Sequence, residues 1–383
     1  MLAKIRNKLE QYTQRQLLRR RIAISERGDN WVKIDGRSCV NFCSNDYLGL
    51  ANHPAIKGAL IEGIQKYGAG SGSSTLISGY FEPQQRLEEK FAEFLNRDRA
   101  VFFSSGYMAN LGVMTSLLDR GSIVVSDRLC HASLLDAIQL SKAKHYRYRH
   151  NDLAHFKFLL HSKRPNFIVT EGNFSMEGDL ALLPPIIELL SFSSVILIID
   201  DAHGIGVLGN NGGGISDYWG LSQTEVPCLI APLGKAFGCV GAIVSGHRDL
   251  MEAILQFSRT YRNTTALPPA ISFAALKSLE IIQTENWRRD QLNEIIQFFI
   301  LQGHEKGLKL ISSETTPIKC LLVADNKRTQ IIQQKMIEKG FFVSCIRPPS
   351  VPEKTARIRI SLNCFHTKEQ ISQLVDQLAL LLC

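Results

Sequence analysis

The sequence predicts an α/β protein: a large domain on a mostly parallel sheet, followed by a smaller α+β domain. Three observations carry that reading. Between residues 100 and 200, short β-branched apolar runs alternate with helical stretches, the rhythm of strand–helix–strand units. The run Val195–Ile199 is wholly apolar and is followed by Asp200, Asp201 and His203. It reads as a buried parallel strand that delivers polar groups to the C-terminal edge of its sheet. From about residue 275 the rhythm gives way to a long helical stretch and a few short strands.

Taken in order, Leu2, Ile5, Leu9, Leu17, Leu18 and Ile22 make the first 25 residues an amphipathic arm. Residues 31–41 read as a hairpin turning at Asp35-Gly36. A helix is expected from His53-Pro54 to about Lys66, and Gly68–Ser74 is a glycine-rich loop without the Walker pattern. The next helix spans Pro83–Leu95. Ala100–Phe103 is a buried strand, which Ser104–Asn110 turn into a helix through Leu118. Small hydroxyl residues and Gly106 at such a turn suit an anion. Strands at 123–126, 145–148, 167–170 and 195–200 alternate with helices at 133–140, 153–160 and 185–191. The short strand Leu229–Ala231 leads to Gly234-Lys235. One helix over Ser272–Gln302, strands near 318–323 and 357–361, and helices at 327–339 and 367–381 complete the chain. The expected division is an N-terminal arm and hairpin (1–48), a large domain (49–274) and a small C-terminal domain (275–383) joined to the N-terminal segment.

Chemistry concentrates between residues 200 and 238. Gly234-Lys235-Ala236-Phe237-Gly238 puts a flexible amine on a tight turn after a buried strand. A buried Asp, a His three residues on and a turn-borne Lys together suit pyridoxal 5′-phosphate, the Lys forming a Schiff base and the Asp pairing with the pyridine nitrogen. Gly204–Gly209 also matches G-x-G-x-x-G and follows a strand. Asn210–Gly214 cannot open a helix, however, so pyrophosphate has no helix N-terminus to sit on, and a nicotinamide or flavin site is set aside. Those glycines are expected to form a loop passing close to something flat.

A chain of 383 residues, 45% hydrophobic and 21% charged, has the make-up of a globular enzyme with more than one domain. No apolar run approaches the ~20 residues that span a bilayer, and the charged arm lacks the apolar core of a signal peptide, so no membrane partner and a cytoplasmic location are expected. The nine cysteines, Cys383 among them, follow no C-x-x-C spacing; reduced thiols are expected, with no metal site. The net charge is +8 and includes the block Arg19-Arg20-Arg21. Aromatic residues are not interleaved with the basic ones, so nucleic acid is not an expected partner. An anionic small substrate or an acidic carrier suits the charge better.

In sequence order, NFCSNDYLGL (41–50), GAGSGSS (68–74), SSGYMAN (104–110), DRLCHAS (127–133), TEGNFSMEGD (170–179), DDAHGIGVLG (200–209), LGKAFG (233–238) and ARIRIS (356–361) resemble the α-oxoamine synthases, a branch of the fold type I pyridoxal-phosphate transferases. The resemblance covers nearly the whole chain. It implies that Lys235 carries the cofactor and moves protons, that Asp200 rather than Asp201 meets the pyridine nitrogen, and that His203 meets the phenolic oxygen. His131 would stack on the ring and hold substrate, and Ser175 would touch the phenolic oxygen or ring. Gly106 and Tyr107 would lie at the phosphate, with Thr265 reaching it from the neighbouring subunit of a homodimer. Arg19 and Arg359 would bind substrate carboxylates, with Ser350 near the acyl group. The segment IRPPSVP (346–352) resembles the branch that joins L-alanine to a pimeloyl thioester, held on coenzyme A or a carrier protein, in biotin synthesis. A sister reaction of glycine with acetyl-CoA, an aminotransferase on the same fold and a non-catalytic partner subunit are the alternatives. The retained Lys235, Asp200 and His203 argue against the last. One position departs from the pattern: relatives usually carry Thr three residues before the lysine, and here it is Pro232. Proline brings neither a hydroxyl nor an N–H, and losing a hydrogen bond to a charged group costs ~1.5–3 kcal/mol if nothing compensates.

Overall fold

A computed structural model describes residues 1–191 and 193–382; Cys383 lies outside the described residues. The chain forms two compact units, one made of residues 50–175 and 180–286, the other of residues 1–49, 176–179 and 287 onward.

The larger unit is built on seven strands: β1 (Arg99–Phe103), β2 (Ile123–Asp127), β3 (Lys144–Tyr148), β4 (Phe167–Glu171), β5 (Ile196–Asp200), β6 (Cys228–Pro232) and β7 (Ala242–Gly246). Their spatial order is β1-β7-β6-β5-β4-β2-β3. β7 runs antiparallel to β1 and β6, and all other neighbours are parallel. Val169, Ile198, Ile230 and Val244, from four adjacent strands, share one core with Ala109, Val113 and Met114 of the helix Gly106–Leu117. Each of the valine, isoleucine and methionine side chains, fully buried, contributes about 1.5–3 kcal/mol. The chain turns that leave β1, β2, β4, β5 and β6 therefore emerge at one edge of a rigid sheet.

β7 and the helix after it, Arg248–Phe257, were not expected from the sequence. The strand is short and lies between Gly241 (φ 103°) and Gly246 (φ 154°), so its few apolar residues look like part of the turn after Lys235. The G-x-G-x-x-G stretch opens no helix. It is a turn in which Val207 and Leu208 donate to the Gly204 carbonyl; its middle glycine, Gly206, closes on Ala236 and the edge of the Phe237 ring, while the outer two close on carboxylates. A Cβ on Gly204 would overlap Asp201 Oδ1, and one on Gly209 would overlap Asp217 Oδ2.

In the smaller unit, the strands Trp31–Ile34 and Arg37–Asn41 pair as a hairpin. Asp35 (φ 48°) and Gly36 (φ 79°) occupy the left-handed region that such a two-residue turn demands. Phe341-Phe342 adds in parallel to Val40-Asn41. A second sheet joins Ile318–Ala324, Ala356–Ser361 and Ser344–Ile346, with helices Asn326–Glu338 and Lys368–Leu382. The single long helix expected over 272–302 is two helices, Pro269–Thr284 and Trp287–Glu305. The apolar period runs on through Glu285-Asn286, so the pattern hid the break. The arm forms the helix Leu2–Gln14, none of whose residues is buried. Among the described residues no helix is long and apolar enough to cross a membrane.

Candidate active site

Asp200 ends β5 with its carboxylate held on both oxygens: Oδ1 accepts from the Ala202 amide at 3.1 Å and Oδ2 from Asn110 Nδ2 at 2.7 Å. Strand alternation sends its neighbour the other way. Asp201 Oδ2 accepts from the Ile215 amide at 2.7 Å, and the carboxyl is enclosed by Gly172, Gly204 and Gly214, where any Cβ would overlap it. Burial pushes the Asp201 carboxyl well up from its ordinary value; the hydrogen bond from the Ile215 amide opposes it, and the charge of Asp200 adds to it. One acid is therefore available to the edge, and its neighbour braces the loop behind it.

Lys235 Nζ lies 2.8 Å from His203 Nε2, which joins the turns after β5 and β6. The turn bearing Lys235 depends on Gly238: its φ is +61°, and a Cβ there would run into the backbone of Ala51. His131 follows β2 and caps the helix Ala132–Ser141. Its Nδ1 lies 2.7 Å from Ser133 Oγ, which accepts from the same Asn110 Nδ2 at 2.7 Å. Burial holds the His131 imidazole below its ordinary value, Lys235 pushes the same way, and Asp200 and Asp136 oppose them.

At the end of β1, Ser105 caps the helix that begins at Gly106 by accepting from the Met108 amide at 3.2 Å. The amides of such a first turn have no partner within the helix and point at whatever lies before it. Gly106 is pressed against Pro232, so the backbone comes close to the end of β6. Tyr107 donates its hydroxyl to Asp136 at 2.6 Å. Thr265 bridges to Ser74 and lines a small cavity with Ser104 and Tyr261. Ser175 begins the turn after Asn173, which bridges to Leu180. The missing N–H of Pro232 leaves the ladder intact. Hydrogen bonding between β5 and β6 passes from Ile230 to Asp201, and the Asp201 carbonyl beyond it is taken by Gly204 and Ile205. An amine, an imidazole and a carboxylate at one sheet edge, beside a helix N-terminus approached through glycine, fit pyridoxal phosphate.

The remaining expected residues lie in the smaller unit. Arg19 Nη2 donates to Ser350 Oγ at 2.9 Å, so two of them meet. Arg359 is 5% exposed and donates to Ser361 Oγ at 3.0 Å and Asn45 Oδ1 at 3.1 Å. Reading the sequence singled out neither Asn110 nor Ser133, although both stand in the motifs SSGYMAN and DRLCHAS. Polar residues on a helix that faces a sheet are the signal that would have found them.

Comparison with known proteins shows the family and the fold. The family described as aminotransferase class I and II matches residues 37–378. The 8-amino-7-oxononanoate synthase of Pseudomonas fluorescens is 45% identical over 369 residues, 96% of this chain and 92% of that protein. Among solved structures, the 8-amino-7-oxononanoate synthase of Francisella tularensis superposes with a TM-score of 0.80 at 35% identity, covering 89% of this chain and 97% of the other. Serine palmitoyltransferase from S. paucimobilis, solved with pyridoxal phosphate and myriocin bound, gives a TM-score of 0.90 at 26% identity, covering 99% and 96%. The chain has the fold of the type I pyridoxal-phosphate transferases and belongs to the class I and II aminotransferase family and, within it, to the 8-amino-7-oxononanoate synthases.

Proposed function

We propose that this chain condenses L-alanine with a pimeloyl thioester, on coenzyme A or a carrier protein, to give 8-amino-7-oxononanoate, carbon dioxide and free thiol in biotin synthesis. The observation that carries the reading is the 2.8 Å approach of Lys235 to His203 at the sheet edge where Asp200 ends its strand. Pyridoxal phosphate, when bound, supplies an electron sink for charge developing at the amino acid's Cα.

The chain's own residues divide the remaining work. Lys235 attaches the cofactor and carries the Cα proton away and back. His203 hydrogen-bonds that amine and meets the cofactor's phenolic oxygen, with Ser175 beside it. Asp200, fixed by Asn110 and Ala202, pairs with the pyridine nitrogen. His131 packs on the ring and holds the amino acid. Gly106, Tyr107 and Thr265 receive the phosphate. Arg19, Ser350 and Arg359 serve the substrate, the guanidinium groups by forked pairing with carboxylates. The enzyme is read as a cytoplasmic homodimer, to be checked by light scattering.

An absorbance titration tests the reaction. L-alanine and glycine are added separately, each with and without pimeloyl-CoA, while free thiol and the nine-carbon product are followed. Thiol release that requires alanine and pimeloyl-CoA together supports the proposal. Preference for glycine moves the chain to the sister reaction, and amino-group transfer without thiol release makes it an aminotransferase.

A further inference from the structure

We propose that Asn110 and Ser133 form a relay that fixes His131 as a neutral imidazole protonated on Nε2. The inference rests on the direction of each hydrogen bond. An amide nitrogen only donates, and Asn110 Nδ2 lies 2.7 Å from both Asp200 Oδ2 and Ser133 Oγ, one N–H for each. Turning the amide over would set its oxygen against the Asp200 oxygen, so its orientation is determined. Ser133 Oγ thus accepts from Asn110 and has its own proton left for His131 Nδ1, 2.7 Å away. The Ser133 backbone N–H points at the same nitrogen, at 3.3 Å. A ring nitrogen that accepts twice cannot carry a proton, so the imidazole proton sits on Nε2.

Asn110 gives up something for this. Its Oδ1 is buried with no hydrogen-bond partner, while both N–H groups stay on the two oxygens. Asn110 and Ser133 are each 1% exposed, so water does not compete for these bonds. Burial, which keeps the His131 proton count low, acts in the same sense. The outcome is an imidazole that offers one N–H donor from Nε2, suited to a carboxylate oxygen of the amino acid. Asn110 and Ser133 are positioning residues. The role toward the amino acid rests on the proposed function; the tautomer does not.

The test uses the purified, cofactor-loaded protein labelled with 15N-histidine, with His131 identified by its loss in His131→Asn. Long-range proton–nitrogen spectra should show the Nε2–H form in the wild type. Ser133→Ala and Asn110→Asp should give a mixture of both tautomers, and Ser133→Thr, which restores the hydroxyl, should recover the Nε2–H form. In Ser133→Ala the KM for L-alanine should rise roughly tenfold, more than kcat falls, as expected for one weakened hydrogen bond to a charged group. A proton on Nδ1 in the wild type, or a spectrum unchanged in Ser133→Ala, overturns the relay. Should Asn110→Asp fail to fold, Ser133→Ala still decides. A tautomer that follows Ser133 in a protein making no condensation product removes the proposed reaction and leaves the relay standing.

Discussion

Gly106 and Pro232 face one another so closely that a Cβ on Gly106 would lie 2.7 Å from Pro232 Cγ. The glycine opens a helix and the proline ends β6, so this contact sets how near the first-turn amides come to the strand that delivers Lys235. Pro232→Thr exchanges the ring for a hydroxyl beside those amides. Cofactor affinity, measured by absorbance titration, should tighten at least several-fold, since a hydrogen bond to a charged group is worth ~1.5–3 kcal/mol. Gly106→Ala should weaken it by separating helix from strand. Unchanged affinity in Pro232→Thr would mean that other hydroxyls already satisfy the phosphate.

Asp200 and Asp201 predict opposite phenotypes for one chemical change. Asp200→Asn should reduce turnover by about 100-fold or more, the scale of losing one preorganised electrostatic contact. Asp201→Asn should leave turnover within a few-fold, because its oxygen can still accept from Ile215. The Asp201 carboxyl is pushed up by burial, so between its unfolded and folded pKa values the folded state holds a proton that the unfolded chain has released, and stability falls as pH rises through that interval. Asp201→Asn should therefore unfold less readily than the wild type at pH 8 in urea. Equal turnover losses in the two variants would overturn the assignment.

Gly204→Ala should lose about 1–3 kcal/mol of stability, the usual cost of overpacking, because its methyl group would press on Asp201 Oδ1. Denaturation with and without cofactor measures it. A midpoint like that of the wild type would show that the loop yields easily.

Lys235→Ala should abolish the cofactor link that borohydride makes permanent, read by mass spectrometry of the intact chain. A retained adduct would place the link on another lysine.

His366 predicts how stability responds to acid. It stacks on Phe42 with centroids 4.1 Å apart, its Nδ1 accepts from the Asn363 amide, and burial pushes its pKa down to about 3. The unfolded imidazole takes a proton near 6.5 and the folded one only near 3, so the stabilisation is complete above pH 6.5 and is lost as pH falls toward 3. Between pH 7.5 and 5 it accounts for about 2 kcal/mol of lost stability. His366→Asn should show a correspondingly shallower decline over that range, measured by urea midpoints. The same decline in both proteins would assign the loss to other groups.

Much of the architecture could be read before any coordinates, for physical reasons. Strands buried on both faces spell out uninterrupted apolar runs, and the Asp35-Gly36 turn announces itself because few residues tolerate its backbone. β7 was hidden because glycine flanks make a short strand resemble a turn. The break at Glu285-Asn286 was hidden because apolar periodicity does not register an interruption of two residues. At the site, Lys235, Asp200 and His203 were legible from type and spacing. Asn110 and Ser133 were not, since their importance lies in what each donates to and accepts from across elements far apart in the chain.

The Trp31–Asn41 hairpin and the Phe341-Phe342 strand it pairs with stand about three hundred residues apart, and this sets a timetable for synthesis on the ribosome. Residues 50–286 can emerge and close their own sheet, apart from the short piece 176–179, while the opening forty-nine residues wait for the last quarter of the chain. During that interval Val40 and Asn41 present an unpaired strand edge, the feature that invites pairing with a stranger. Slow translation past residue 286 should therefore favour misassembly at the amino terminus, far from where the delay occurs.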